Sequence, residues 1–302
     1  MGLHWGRSFA RAKARVARLT FVHPSDSVVI AASCLTKQLS RVEFLDDSER
    51  YAKSIGLLDA VNGERPRPKL GALSGKSYSP LCRIDDQADV DSANHLVSST
   101  LESHLVGNPR LLSVVRQVVG EIHDNVWSHA RGVGFSACQI YGTTEADRLV
   151  QFAVADCGAG FLRNARRVLS SLSDDFEAIE WCLEKNNTSA GMPHEFAQRI
   201  DPDDPFGGLP PGVPTRTSSN HHQGLGLYKL RKCVEAANGS MVLVSGSGGL
   251  VLKRDGTTIR ITPPIPWRGV FIEFELPSSA VLPSDQENPK LQELAEYLGW
   301  NE

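Results

Sequence analysis

Asn108-Pro109-Arg110-Leu111-Leu112-Ser113-Val114-Val115-Arg116-Gln117-Val118-Val119-Gly120-Glu121-Ile122-His123-Asp124-Asn125-Val126 is the stretch on which the reading of this chain turns. Asn108-Pro109 opens a helix, because proline pre-sets the first turn. Leu111, Leu112, Val114, Val115, Val118, Val119, Ile122 and Val126 then recur at the spacing of a core-facing helical stripe. Glu121 and Asn125 are four residues apart and share a face. A carboxylate and a carboxamide one turn apart offer an oxygen that can orient a water and an amide oxygen suited to a hard cation such as Mg2+. Alone, this pair is common on solvated helices, so the weight rests on two further segments.

The first of these ends a strand. Leu149-Val150-Gln151-Phe152-Ala153-Val154-Ala155 is an apolar run of strand length that stops at Asp156-Cys157-Gly158-Ala159-Gly160. Two glycines spaced by one residue permit a tight turn and a close approach of a flat ligand, and Asp156 can accept a hydrogen bond from an exocyclic amine such as that of adenine. The second segment, Gly224-Leu225-Gly226-Leu227, stands before the helical pattern Leu227, Leu230, Val234, Ala237, which Asn238-Gly239 closes. Glycines at a helix start leave backbone N–H groups open at the positive end of the dipole, an arrangement that binds phosphate. Lys229 follows on the next turn, where it can reach a phosphate or lie solvated.

In this order, a helix with Glu-x-x-x-Asn, a strand ending Asp-x-Gly-x-Gly, a long loop and a Gly-x-Gly-Leu helix closely resemble the GHKL or Bergerat-fold ATPases, over about residues 105 to 278. With His129-Ala130 added, the pattern is especially similar to anti-sigma-factor serine kinases and to stand-alone ATP-binding proteins of bacteria. The resemblance implies ATP and Mg2+ as ligands. It makes Glu121 the water-activating base, Asn125 the Mg2+ ligand and Asp156 the reader of adenine. Gly158, Gly160, Gly224, Leu225, Gly226, Leu227 and Lys229 become the cofactor-binding loops. It also implies a two-layer α/β sandwich in which a mixed sheet carries helices on one face. The activity expected is that of an ATPase whose lid closure regulates a protein partner. A serine kinase and a nucleotide-gated binding module with little turnover are the alternatives, and a homodimer is compatible with all three. The chain departs from the family at its last strand, which opens Gly269-Val270 where Gly-Thr is usual. Gly256-Thr257-Thr258 is either the displaced equivalent or an inserted hairpin.

Bulk properties set the remaining bounds. A chain of 302 residues is long enough for a main domain and a smaller companion. A net charge of −3 gives no global reason to bind nucleic acid or an anionic membrane. Six scattered cysteines without a Cys-x-x-Cys read as reduced, buried thiols of a cytoplasmic protein. The longest apolar run, from Val28 to Leu35, falls far short of the ~20 residues of a membrane helix.

Residues 1–63 are expected to form a small α/β unit behind a frayed basic arm (Arg7, Arg11, Lys13, Arg15, Arg18). Its strands are placed at Leu19 to Val22 and Ser27 to Ala31, its helices at Ser33 to Leu39 and Ser48 to Leu58. Residues 51–58 are similar to the end of the STAS-like segment that precedes some stand-alone GHKL domains. A linker, 64–88, is rich in Pro, Gly and Ser. The nucleotide-binding domain spans 89–278 and starts with a helix from Asp89 to Leu105, for which Asp91 is a candidate cap. Its lid, about 162–223, contains two helical stretches (Phe161 to Leu172, Asp174 to Lys185) and then a segment too rich in Pro, Gly, Ser and Asp to pack. Four strand patterns follow, and residues 279–302 read as a polar link with a short amphipathic helix at Leu291, Leu294, Ala295 and Leu298.

Overall fold

The structure is a computed structural model that describes residues 5–14, 16–45, 47–67, 77–130, 132–142, 144, 148–184, 187 and 226–282. It is an α/β protein built on a seven-stranded sheet. In chain order the strands are β3 (Cys82–Ile84), β4 (Gly134–Tyr141), β5 (Leu149–Asp156), β6 (Ser240–Gly246), β7 (Gly248–Leu252), β8 (Thr258–Ile261) and β9 (Trp267–Pro277), and their spatial order is β3-β4-β5-β9-β6-β7-β8. Every neighbouring pair is antiparallel, which corrects the expected mixed sheet. Antiparallel pairing follows from the connections, since Gly246 to Gly248 and residues 253–257 are turns too short for a crossover.

One face is covered by α5 (Gln87–Leu105), α6 (Pro109–Asn125), α8 (Asp175–Cys182) and α9 (Gly226–Ala236). Asn108 caps α6 as its sequence predicts, its side chain accepting from Leu111 N at 3.3 Å. Asp86, rather than Asp91, caps α5 by accepting from Asp89 N at 2.9 Å. The apolar stripe of α6 meets Cys138, Ile140, Val150, Phe152, Val154, Ile272 and Phe274 in one core. His123 of α6 is wholly buried in this core, packed 5.6 Å from the Phe152 ring, with Nδ1 2.7 Å from Asn94 Oδ1.

The opposite face, expected to be free of helices, carries the N-terminal segment. Here lie α1 (Trp5–Ala14), α2 (Pro24–Leu35), α3 (Ser48–Ile55) and α4 (Leu57–Val61), with β1 (Val16–Leu19) and β2 (Arg41–Phe44) paired in parallel as a separate two-stranded sheet. Several expectations fail in this region: the strand placed at Leu19 to Val22 runs Val16–Leu19, and Ser33 to Leu39 holds only the end of α2. Residues 5–14 form a helix in place of a frayed arm: Phe9 is fully buried between Trp267 and Phe271, with ring centroids 5.1 and 5.2 Å away. Ser27 to Ala31 is helix, not strand. Pro24 occupies the first turn of α2 and Asp26 accepts from His23 N at 3.1 Å, so local capping wins over the β-propensity of Val28-Val29-Ile30. Because α2 is enclosed almost all round, its apolar residues show no helical period. Residues of α1–α4 share one core with Phe135, Ala137, Ala153, Ala155, Val242, Val244 and Phe271 of the sheet.

The stretch expected as linker is part structure as well. Tyr78 bridges to Gln139, and Cys82–Ile84 is an edge strand. Of the expected lid, α7 (Gly160–Ala165) and α8 are helical over shorter spans than predicted, and 188–223 lie outside the described residues, as does the expected tail helix. All six cysteines are free: Cys82, Cys138 and Cys233 are buried, while Cys34, Cys157 and Cys182 are half-buried. Among the described residues no helix is long and apolar enough to cross a membrane.

Burial pushes the His123 imidazole down from 6.5 to about 3. Between these values the unfolded chain takes up a proton that the folded chain refuses, so this histidine costs stability as pH falls from about 6.5. The stability of wild type minus that of His123→Gln, from urea titrations, is expected to shrink by on the order of 1 kcal/mol per pH unit below that point. A difference that stays constant from pH 7 to pH 5 would show that the ring takes up its proton in the fold as readily as in the unfolded chain.

Candidate functional site

Three segments converge where the end of α6 meets the end of β5. After Asn125 the helix widens into a π-turn, Val126–Ala130, an irregularity that often marks functional sites. The turn brings the Ala130 carbonyl within reach of the loop after β5, where it accepts from Ala159 N at 3.0 Å, while Val133 O accepts from Cys157 N at 2.9 Å. Gly158 is required by this approach, because a methyl on its α-carbon would lie 2.0 Å from Ala130 O. Gly160 opens α7 with φ +74°, and Phe161 N next to it donates to Ser245 Oγ at 2.9 Å.

Asp156 is the last residue of β5 and is 4 % exposed. Gly158 N donates to its Oδ1 at 2.8 Å and Val270 N to its Oδ2 at 3.1 Å. Desolvation outweighs these two hydrogen bonds and raises the carboxyl from 3.8 to about 7. The neighbouring β9 backbone can come this close only because residue 269 is glycine, at φ +107°, where a methyl would lie 2.2 Å from Asp156 O. The Gly269-Val270 pair therefore supports Asp156 through a main-chain N–H. No hydroxyl side chain is needed for that, so valine can stand where the threonine of Gly-Thr is usual. Gly256-Thr257-Thr258 is the turn between β7 and β8 at the far edge of the sheet, a hairpin remote from Asp156.

The third segment meets the first directly. Gly226 begins α9 against α6, so close that a methyl on it would stand 3.1 Å from Glu121 Oε2 and 3.2 Å from Asn125 Nδ2. Leu227 is buried in the core beneath. Gly224 and Leu225 lie outside the described residues. Lys229, read from the sequence as reaching a phosphate or lying solvated, is not solvated. It is 7 % exposed and its ammonium lies 2.5 Å from Glu121 Oε1. Sequence reasoning had no means of finding this pair, since 108 residues separate its members.

Glu121 and Asn125 are both half-buried at the surface of α6 that α9 meets, whereas His123 points into the core. Among the described residues no group of three or more His, Cys, Asp or Glu converges on a metal. A pocket of about 410 Å³ beside His104, Asn108, Arg110 and Arg148 sits at the opposite end of β5 and contains none of these residues. Compared with protein-family models, with curated proteins and with solved structures, the chain gives no match.

The contact between Gly158 and Ala130 can be weighed by a pair of glycine variants. Gly158→Ala is expected to lose about 2 kcal/mol or more in urea denaturation, as overpacked sites do, and Gly107→Ala, which meets nothing within 4 Å, well under about 1 kcal/mol. Equal losses at the two positions would mean that the loop after β5 does not press on the π-turn.

Proposed function

We propose that this chain binds adenine nucleotide with Mg2+ at the junction of α6, the β5 end and α9, in the manner of the GHKL or Bergerat-fold ATPases. One observation carries the reading. Three segments far apart in sequence, each ordinary alone, come together at one end of the sheet, with Gly226 against Glu121 and Asn125 and Gly158 against Ala130. A buried carboxyl at the strand end, held by two backbone donors, supports the same reading.

The residues present fit such a ligand. Asp156 offers its carboxylate to an exocyclic amine while two backbone N–H groups hold it in place. Asn125 would hold Mg2+ by its amide oxygen, a modest protein contribution that suits a cation otherwise dressed by phosphate and water. Bound there, the cation would neutralise charge on the phosphate chain. The described start of α9, Gly226, lies against Glu121 and Asn125, and a helix start is the end that attracts phosphate. Glu121, one turn from Asn125, is the carboxylate in reach of a water or hydroxyl, and lid closure would couple turnover to a regulatory protein partner. A nucleotide-gated module with little turnover is the second reading, favoured by one feature: Glu121 is engaged by Lys229.

Incubation of the whole chain with γ-labelled ATP and Mg2+, following free phosphate and protein-bound label separately, distinguishes hydrolysis from transfer. Glu121→Ala is expected to retain ATP binding and lose turnover by ~100-fold to 10,000-fold, the usual share of a positioned base. Asn125→Ala should abolish the Mg2+ dependence of binding by calorimetry. Wild-type turnover in Glu121→Ala would make Glu121 a structural residue, and unchanged Mg2+ dependence in Asn125→Ala would move the metal elsewhere.

A further inference from the structure

The pairing of Lys229 with Glu121 assigns a second property to the site, one that rests on the nucleotide reading above. A lysine this deeply buried needs a charged partner, and Lys229 takes the carboxylate proposed as the base, at 2.5 Å. Lys229 also lies three residues into α9 from Gly226, one turn from the helix start. Side chains on a helix lean toward its N-terminus, which is the end that attracts phosphate. The ammonium therefore stands between a carboxylate behind it and the ground where the end of a phosphate chain would lie.

We propose that Lys229 is a specificity residue that exchanges partners. It pairs with Glu121 when a nucleoside diphosphate is bound and turns to the terminal phosphate when a triphosphate is bound. A terminal phosphate carries more charge than a carboxylate and presents three acceptor oxygens, so it competes well for one ammonium. The exchange makes the site tell triphosphate from diphosphate. It also frees the Glu121 carboxylate to accept from a water or hydroxyl only when there is a γ-phosphate to transfer. Lys229 would then act on the chemistry through Glu121, as a positioning residue, and on the ligand directly.

The test measures ATP and ADP affinities by calorimetry, in Mg2+, on the full chain as wild type, Lys229→Met, Lys229→Arg and Glu121→Gln. ADP affinity in each variant reports whether the adenine end of the site is intact. Lys229→Met is expected to lower the ATP-to-ADP affinity ratio by about 10-fold or more, the worth of a hydrogen bond to a charged group, with ADP affinity nearly unchanged. Lys229→Arg should restore part of the ratio. Glu121→Gln, which removes the rival charge and leaves the lysine, should raise ATP affinity and leave ADP affinity as it was. If Lys229→Met does not fold, Glu121→Gln decides alone. Equal losses for ATP and ADP in Lys229→Met, or no gain for ATP in Glu121→Gln, would reduce the pair to a structural ion pair and overturn the exchange. Failure of wild type to bind either nucleotide would overturn the nucleotide reading, and this proposal with it.

Discussion

The site depends on one backbone contact, the approach of the loop after β5 to the π-turn after α6. Ala130 O accepts from Ala159 N, and Gly158 passes so near that no side chain fits between. This contact fixes the register between the helix that carries Glu121 and Asn125 and the strand that ends in Asp156. The two elements are joined through β4, and neither end would know the other's position without it. A second close approach, of Gly269 to Asp156, then ties β9 to the same corner. Interiors packed to crystal-like density do not yield by fractions of an ångström at low cost, so two such approaches are strong geometric constraints.

Behind this corner the sheet is enclosed from both sides, and the two faces differ in kind. The α5, α6, α8 and α9 face is mainly apolar, with Thr100, His123, Ser136 and Lys229 among its buried polar residues. The face under α1–α4 carries two fully buried carboxylates, Glu273 and Glu275, on β9. They are held by polar neighbours: Gln151 Nε2 donates to Glu273 Oε1 at 2.5 Å, Arg254 Nη2 donates to Glu275 Oε2 at 2.9 Å, and the Tyr141 hydroxyl donates to Glu275 Oε1. Charges removed from water in this way add little net stability over an apolar core, but losing one partner is costly. The network thus fixes how β4, β5 and β9 lie side by side, with the N-terminal segment as its cover.

How much of this was legible in the sequence depended on whether the signal was local. The stripe of α6, its opening at Asn108-Pro109 and the apolar run of β5 are local, and these elements are where the sequence puts them to within a few residues. The convergence of the three glycine and carboxylate segments was readable only because their order resembles a known pattern. What escaped were features decided by contacts distant in sequence. Val28-Val29-Ile30 looks like a strand until the enclosure of α2 is seen, since a helix buried all round has no polar stripe to reveal its period. The two-faced cover of the sheet, the support of Asp156 by Val270 N and the engagement of Lys229 by Glu121 are all of this kind.

The most direct test of the central claim, that these segments form one adenine-nucleotide site, is a crystal structure of the chain with a non-hydrolysable ATP analogue and Mg2+. The account predicts the adenine amine within hydrogen-bond distance of the Asp156 carboxylate, the cation on Asn125 Oδ1 and the phosphates at the start of α9. An analogue bound elsewhere, or a site at this corner with the adenine turned away from Asp156, would contradict it.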